Sequence, residues 1–440
     1  MSDYTFMLDS HLSSDQSKVL ALVRDTAAQA NLNLFLTGGA MRDMLGGFPI
    51  RDLDFSLEGN AAKLAKVIVA SFGAKIVHLD ETKRSVELLF PSGVTAEIAT
   101  AREEKHGRPG SKVQVHPATI HEDLRGRDFT INAIALSLSK ASHGLLLDPT
   151  NGLADIERKE LHAVTNYSLY DDPSRILRLI RLRTRLGYRT SERTQAQYSN
   201  VREAHLETKI PSQVLNRELH QIALEPAPLE VFQALAQENL LALFSPVLAA
   251  KLNTSGFQKL HRAKQLLPFG TEMKIDHFRL VLNLILEKLN AKERAQFIKN
   301  CALDKKSVER AAKLDANSRK IERSLTSAKL QRPSALYATL AAVPGEEIIF
   351  LLTRSNHRLV VDRIKNYLQK YLPAAQEITD AVVGEHGAKP GTAKFSRVRA
   401  ELIAARLDSR PKRPAIIEPP PPPPPPAPMM SSRRQSTWGR

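Results

Sequence analysis

The stretch LFLTGGAMRDMLGGFPIRDLDF, residues 34–55, decides how the rest of the chain is read. It opens on an apolar run, Leu34–Phe35–Leu36, that has the character of a buried strand. Gly38 and Gly39 follow, and a helix is expected to begin near Ala40. A helix N-terminus presents free N–H groups and the positive end of the dipole to anions, and glycine lets backbone approach a phosphate closely. Arg42, one turn in, adds a charge-assisted donor. The spacing is neither G-x-G-x-x-G nor a loop ending in Gly-Lys-Ser/Thr. A loop then leads to Asp52-Leu53-Asp54. In a strand, residues i and i+2 share a face, so Asp52 and Asp54 face one way while Leu53 and Phe55 face the core. Neighbouring carboxylates repel unless a cation or proton lies between them, and such a pair suits Mg²⁺. The competing reading is a plain glycine turn followed by two exposed acids on an edge strand.

Working outward, residues 15–31 have helical spacing, with Val19, Leu20, Leu22 and Val23 on the apolar side. AAKLAKVIVASF is expected to be a helix, and KIVHL, SVELLF and VTAEIAT further strands joined by turns. Glu97 lies within the last of these and is the candidate third carboxylate beside the Asp52–Asp54 strand. EDLRGRDFTINAIAL, residues 122–136, sets Arg125, Arg127, Asp128 and Asn132 among buried-type residues. Arg127 is a candidate for a triphosphate. Asp128 and Asn132, at i and i+4, are expected to share a helix face and to contact a ribose. The first unit, to about residue 140, is therefore mixed α/β. Beyond it the strands are expected to stop, and nearly every segment to about residue 375 has helical periodicity. From about residue 409 the chain becomes RPKRPAIIEPPPPPPPPAPMMSSRRQSTWGR, which reads as polyproline II followed by a basic, disordered end.

Composition narrows the function classes. Lys and Arg number 63 against 47 Asp and Glu, a formal net charge of +16, which favours a polyanionic partner and nucleic acid first. A single cysteine, Cys301, excludes an internal disulfide framework and a Cys-rich zinc site. MSDYTFMLDSHLSS lacks the basic and apolar regions of a secretory signal, and no apolar run approaches the roughly 18 residues that span a bilayer. A cytoplasmic protein with no membrane partner is expected.

Five segments in order, GGAMRD, RDLDF, RGRDFTINAIA, LDPTNGLADIERKELHAV and DDPSRILRLIRL, resemble the class II tRNA nucleotidyltransferase and bacterial poly(A) polymerase family. The resemblance covers roughly residues 30–220. It implies a polymerase-β-like α/β nucleotidyltransferase head at 1–140, a helical base-recognition neck at 141–220 and an RNA-binding helical body and tail at 221–375. A C-terminal helical segment at 376–408 and the Pro-rich tail at 409–440 complete the expected organisation. The implied activity is template-independent addition of nucleotides to an RNA 3′ end, with Mg²⁺ as cofactor and tRNA or another RNA, ATP and CTP as partners. By position, Asp52 and Asp54 match the family's metal-binding pair. Gly38, Gly39, Arg42 and Arg127 fall at the nucleotide-phosphate contacts, and Asp172, Arg175, Arg178 and Arg181 at the base-reading and triphosphate positions.

The helix YDDPSRILRLIRLRTRLGY, residues 170–188, supports this from its own spacing. Asp171 or Asp172 is expected to cap it and Pro173 to start it. Asp172, Arg175, Arg178 and Arg181 form a polar stripe opposite Ile176, Leu177, Leu179 and Ile180. A carboxylate accepts and a guanidinium donates, which matches the amino and ring-nitrogen edge of cytosine and adenine and mismatches guanine and uracil. An amphipathic helix with a solvated basic face is the plainer alternative. Some letters depart from the commonest family pattern: Asp171 where glutamate is usual, Gly126 within RGRD, and Gln213 and Leu215 in IPSQVLNREL. The segment 101–120 lies where relatives carry a mobile loop. CCA addition is the first expectation and poly(A) synthesis the second. A non-catalytic RNA-binding protein is the alternative of another class, and no attached HD-type phosphohydrolase is expected.

Overall fold

The computed structural model describes residues 3–105, 114–268 and 273–409. The middle of the expected mobile loop, 106–113, and the Pro-rich tail from 410 on lie outside the described residues. The chain opens with α1 (Asp3–His11) and α2 (Ser14–Gln29). A reciprocal capping box between Ser13 and Gln16 starts α2. Gln16 also reaches across to the loop that leads to Asp52, where its Nε2 donates to the Ile50 carbonyl at 3.0 Å and fixes that loop.

The head sheet contains β1 (Asn33–Thr37), β2 (Leu53–Glu58), β3 (Lys75–Asp80), β4 (Ser85–Leu89), β5 (Thr95–Thr100), β8 (Ala135–Ser137) and β9 (Leu146–Leu147), in spatial order β3-β4-β5-β2-β1-β8-β9. All neighbours are antiparallel except β2 and β5, which are parallel. Alternation on β2 sends Leu53, Phe55 and Leu57 into the core at 0–1% exposure and leaves Asp54 and Ser56 on the opposite face. Helix α3 (Gly38–Leu45) follows β1, and α4 (Ala61–Phe72) covers the sheet with Leu64, Ala65 and Ile68. Asn60 caps α4 and Gly73, at φ 68°, ends it. Beyond β5, β6 (Arg102–Lys105) and β7 (Gln114–Pro117) form a two-stranded ribbon, and α5 (Ile120–Arg125) leads to the segment holding Arg127.

Three expectations change here. Strands do not stop at residue 140: β9 closes the sheet at Leu147, and β10 (Glu160–Leu161) pairs with β11 (Arg189–Thr190). The helix expected near Ala40 begins at Gly38, so both glycines belong to its first turn. Asp128 and Asn132 do not share an α-helix; a single 3₁₀ turn spans Thr130–Asn132 and Asp128 precedes it.

Between the head and the helical remainder lie α6 (Gly152–Arg158), α7 (Ser168–Asp171), α8 (Arg175–Leu186) and α9 (Glu192–Glu203). Helix α8 buries Ile176, Leu177, Leu179, Ile180, Leu182 and Leu186 and ends at Gly187, at φ 67°. From α10 (Ser212–Leu224) to Asp408 every regular element among the described residues is helical. One continuous apolar core runs from Leu8 in the first helix to Leu372, so head and body share an interior. A small separate cluster of Val383, Ala388 and Phe395 holds the last helices together. Among the described residues no single helix is long and apolar enough to cross a membrane.

Candidate active site

The parallel pairing of β2 with β5 sets Asp54 directly opposite Glu97, and the antiparallel pairing of β5 with β4 sets Glu97 opposite Glu87. Residues opposite each other across a ladder share a face, so three carboxylates form a row across three strands. Asp52, one residue before β2, is exposed and accepts a hydrogen bond from Thr95 Oγ1 at 2.9 Å. Burial, then the charges of Glu97 and Asp52, push the Asp54 carboxyl up to about 7, against the pull of Arg127 and the Gly39 N–H. Burial, then Glu97 and Asp52, also raise Glu87, with His78 opposing them. Sequence reasoning missed Glu87, because strand register is not written in a single strand's sequence.

The two glycines lie against this row. Gly39 N–H donates to Asp54 Oδ2 at 3.0 Å. A Cβ on Gly38 would lie 3.1 Å from both Asp54 Oδ2 and Arg127 Nη1, and one on Gly39 would lie 3.1 Å from Asp54 Oδ2. Gly38 also holds φ at +64°, a conformation that side chains disfavour. Arg127 is held in turn by Asp123: its Nη2 donates to Asp123 Oδ2 at 2.9 Å, to Ser56 Oγ at 2.9 Å and to Thr37 Oγ1 at 3.1 Å. Asp123 is a second residue that sequence reasoning missed. Its only signal was the four-residue spacing to Arg127.

A chain of polar contacts leads from the glycines to α8. Arg42 donates from Nε and Nη2 to Asp43 Oδ1 at 2.9 and 2.8 Å, and from Nη1 to Asn132 Oδ1 at 2.8 Å. Asn132 Nδ2 donates to Asp128 Oδ1 at 3.0 Å, so these two meet across the 3₁₀ turn. Arg178 Nη1 donates to Asp128 Oδ2 at 2.5 Å. Burial works against ionisation of Asp128, but Arg178 and Arg175 outweigh it and hold its pKa well below the usual carboxylate range.

Neither Asp171 nor Asp172 caps α8 in the expected way. Asp171 ends α7, and Asp172 Oδ1 accepts from Ser174 N and Oγ at 3.0 and 2.6 Å in the turn before α8. Asp172 Oδ2 faces Arg175 Nε at 3.8 Å. The remaining Arg175 nitrogens donate to Ser168 Oγ at 2.6 Å and to the Gly126 and Arg127 carbonyls at 3.2 and 3.4 Å. The Asp172 and Arg178 side chains are 39% and 43% exposed and form the open part of the stripe. Arg181 departs from expectation: its side chain is 7% exposed, with Nε on Glu218 at 2.6 Å and Nη1 on Glu225 at 3.0 Å. The structure therefore brings Asp54, Glu97, Gly38, Gly39 and Arg127 together, with Asp52 at the rim. It links Arg42, Asn132, Asp128, Arg178, Arg175 and Asp172 in a second group and leaves Arg181 in the neck–body junction, because two buried glutamates claim it.

The donor set of the row fits a divalent cation. Hard carboxylate oxygens gather there, and burial together with the charges of Glu97 and Asp52 makes Asp54 hold its proton abnormally tightly despite Arg127. A second ligand-type cluster, Asp155, Glu160 and His162, has its donor atoms within 4.8 Å of one another and shares no residue with the row.

The sheet with its acidic row and the helices that follow make an α/β head carrying a helical extension. Residues 34–162 match the family described as the poly A polymerase head domain. Among curated proteins, the chain is 35% identical over 194 residues to the A-adding tRNA nucleotidyltransferase of Halalkalibacterium halodurans, covering 44% of this chain and 45% of that protein. It is 37% identical over 159 residues to the CC-adding tRNA nucleotidyltransferase of Deinococcus radiodurans, covering 36% and 42%. To the multifunctional CCA protein of Thioalkalivibrio sulfidiphilus it is 32% identical over 225 residues, covering 49% and 51%. The chain thus spans about half the length, or less, of the curated relatives it matches. In fold it is similar to a CCA-adding enzyme in its apo form II, with a TM-score of 0.53 and 24% identity over 94% of this chain and 96% of that one. A CCA-adding enzyme complexed with CTP gives a TM-score of 0.50 at 25% identity over 93% and 96%.

Proposed function

We propose that the protein is a template-independent RNA 3′-end nucleotidyltransferase that adds CCA, or part of it, to tRNA from CTP and ATP with release of pyrophosphate. The observation that carries this reading is the register of Asp54 with Glu97 beside the Gly39 N–H and Arg127. Asp52 and Asp54 are the residues that would hold a divalent cation, Mg²⁺ in this proposal. When bound, such a cation supplies activation of the RNA 3′-hydroxyl and charge neutralisation at the leaving pyrophosphate. Glu97 keeps the row negative, so a proton and a cation compete for Asp54. The Gly38–Gly39 turn leaves room for phosphate oxygens against the backbone, and Arg127 and Arg42 supply guanidinium donors to them. Asp128 and Asn132 hold the ribose side of the site through their mutual bond.

Asp172 accepts from the base amino group. Arg175, which faces it, donates to the ring nitrogen, and the open nitrogens of Arg178 reach toward the phosphates. Protein groups thereby replace a template. The tRNA acceptor is proposed because two of the relatives are named tRNA nucleotidyltransferases, A-adding and CC-adding, and a third is named a multifunctional CCA protein. We place the domain boundaries near residues 140, 220, 375 and 408, and the protein in the cytoplasm. Transcripts ending before CCA, after C and after CC are each offered to the full chain with single nucleotides. Added C and A with no G or U is the expected result. Failure to extend any of the three would sink the proposal.

A further inference from the structure

A cavity of about 480 Å³ opens where the end of α5, the turn before α6, the 162–165 stretch and the first turn of α9 meet. None of the active-site candidates lines it. Three guanidinium groups do: Arg125, Arg158 and Arg193, all exposed and all without a carboxylate partner among the described residues. Guanidinium groups presented from three separate elements give the cavity a positive field that favours an anion. Thr150 also lines the cavity, and its Oγ1 is shielded from solvent with no hydrogen-bond partner.

The acidic neighbour is already occupied. Asp155 Oδ2 accepts from Thr130 Oγ1 at 2.6 Å, and its Oδ1 stands 3.2 Å from His162 Nδ1. That commitment, with Glu160 drawn toward Arg189 at 3.3 Å, also argues against reading the Asp155–Glu160–His162 group as a cation site. The balance at the cavity is positive.

We propose that this cavity is a second anion site that takes a phosphate-bearing ligand of about nucleotide size. Its volume lies in the range of small-ligand pockets, roughly 300–1,000 Å³, and planar arginine forks match phosphate oxygens. The shared chemistry is two or more phosphate charges, supplied by a free polyphosphate or nucleotide or by the backbone of bound RNA. The site would act on catalysis through one short segment. Arg125 and Thr130 face the cavity, while Arg127, Asp128 and Asn132 from the same segment form the active site. Gly152 packs so closely on this segment that a Cβ there would lie 2.2 Å from the Thr130 carbonyl oxygen, so movement on one side reaches the other.

The test uses the full chain in EDTA. Pyrophosphate binding is measured by calorimetry for wild type, Arg158→Gln/Arg193→Gln, Arg125→Gln and Arg127→Gln. A tRNA transcript lacking its 3′ nucleotides is measured by filter binding with the same proteins. Pyrophosphate affinity falling about threefold or more in the cavity variants, with that class of site retained in Arg127→Gln, assigns a free phosphate ligand. The same loss for the transcript alone assigns the RNA backbone. Changes below about threefold for both probes overturn the site. Nucleotide incorporation by the cavity variants is followed separately, so failure here leaves the polymerisation reading to its own assay.

Discussion

Asp54 answers to opposing demands. Its strand needs Leu53 and Phe55 in the core, which fixes Asp54 on the acidic face, where burial first and then the charges of Glu97 and Asp52 raise its pKa to about 7. A raised carboxylate binds its proton more tightly when folded than unfolded. As pH rises from about 4 through about 7, this residue therefore removes stability from the metal-free protein. Asp54→Asn has no proton to lose. The melting temperature of the variant should gain on wild type across that interval by a few degrees. At about pH 8, Mg²⁺ should raise the wild-type melting temperature and leave that of the variant unchanged. A wild-type-to-variant difference that does not vary with pH would remove the electrostatic account of the row. The same variant should lose nucleotide incorporation by several orders of magnitude while tRNA binding survives, read by gel extension and filter binding.

Helix α8 shows how one amphipathic pattern serves different ends. Its apolar side was legible because residues at three- and four-residue spacing must share a face, and all the expected apolar positions are buried. The strands of the head were legible for the same reason with period two. The fates of the arginines were not. Spacing places Arg175, Arg178 and Arg181 on one stripe, but the carboxylates opposite Arg178 and Arg181 come from segments 50, 37 and 44 residues away. Arg178 meets Asp128, whereas Arg181 meets Glu218 and Glu225. Glu87 was hidden by the same cause, since sheet register is a long-range outcome, and so was the contact of Asp123 with Ser56, 67 residues away. The proposed roles separate experimentally. Asp172→Ala should cost little stability, because its side chain is 39% exposed, yet relax discrimination of C and A against G and U. Single-nucleotide extension assays with the folded variant check this, and unchanged discrimination would refute base reading by Asp172.

At the scale of the molecule, head, neck and body meet on Glu225. Its side chain is 1% exposed and receives Arg181 at 3.0 Å, Arg51 at 3.2 Å and Arg185 at 3.6 Å. Arg185 in turn reaches Asp43 at 2.7 Å, and Asp43 holds Arg42. Removing one member of a buried ion-paired group strands the others, typically at about 3–5 kcal/mol. Glu225→Ala should therefore lower the urea midpoint markedly, while Arg193→Gln, at an exposed position, should not. Equal midpoints for the two would dissolve the hub. The parallel pairing of β2 with β5 has a consequence for sequence variation. The carboxylate row is carried by the inner strands, whereas the β3–β4 turn and the β6–β7 ribbon hang outside them. Those outer loops can lengthen, shorten or change their letters without shifting Asp54 against Glu97. The periphery of the sheet is thus free to vary in length and letters while the opposition of Asp54 and Glu97 stays as it is.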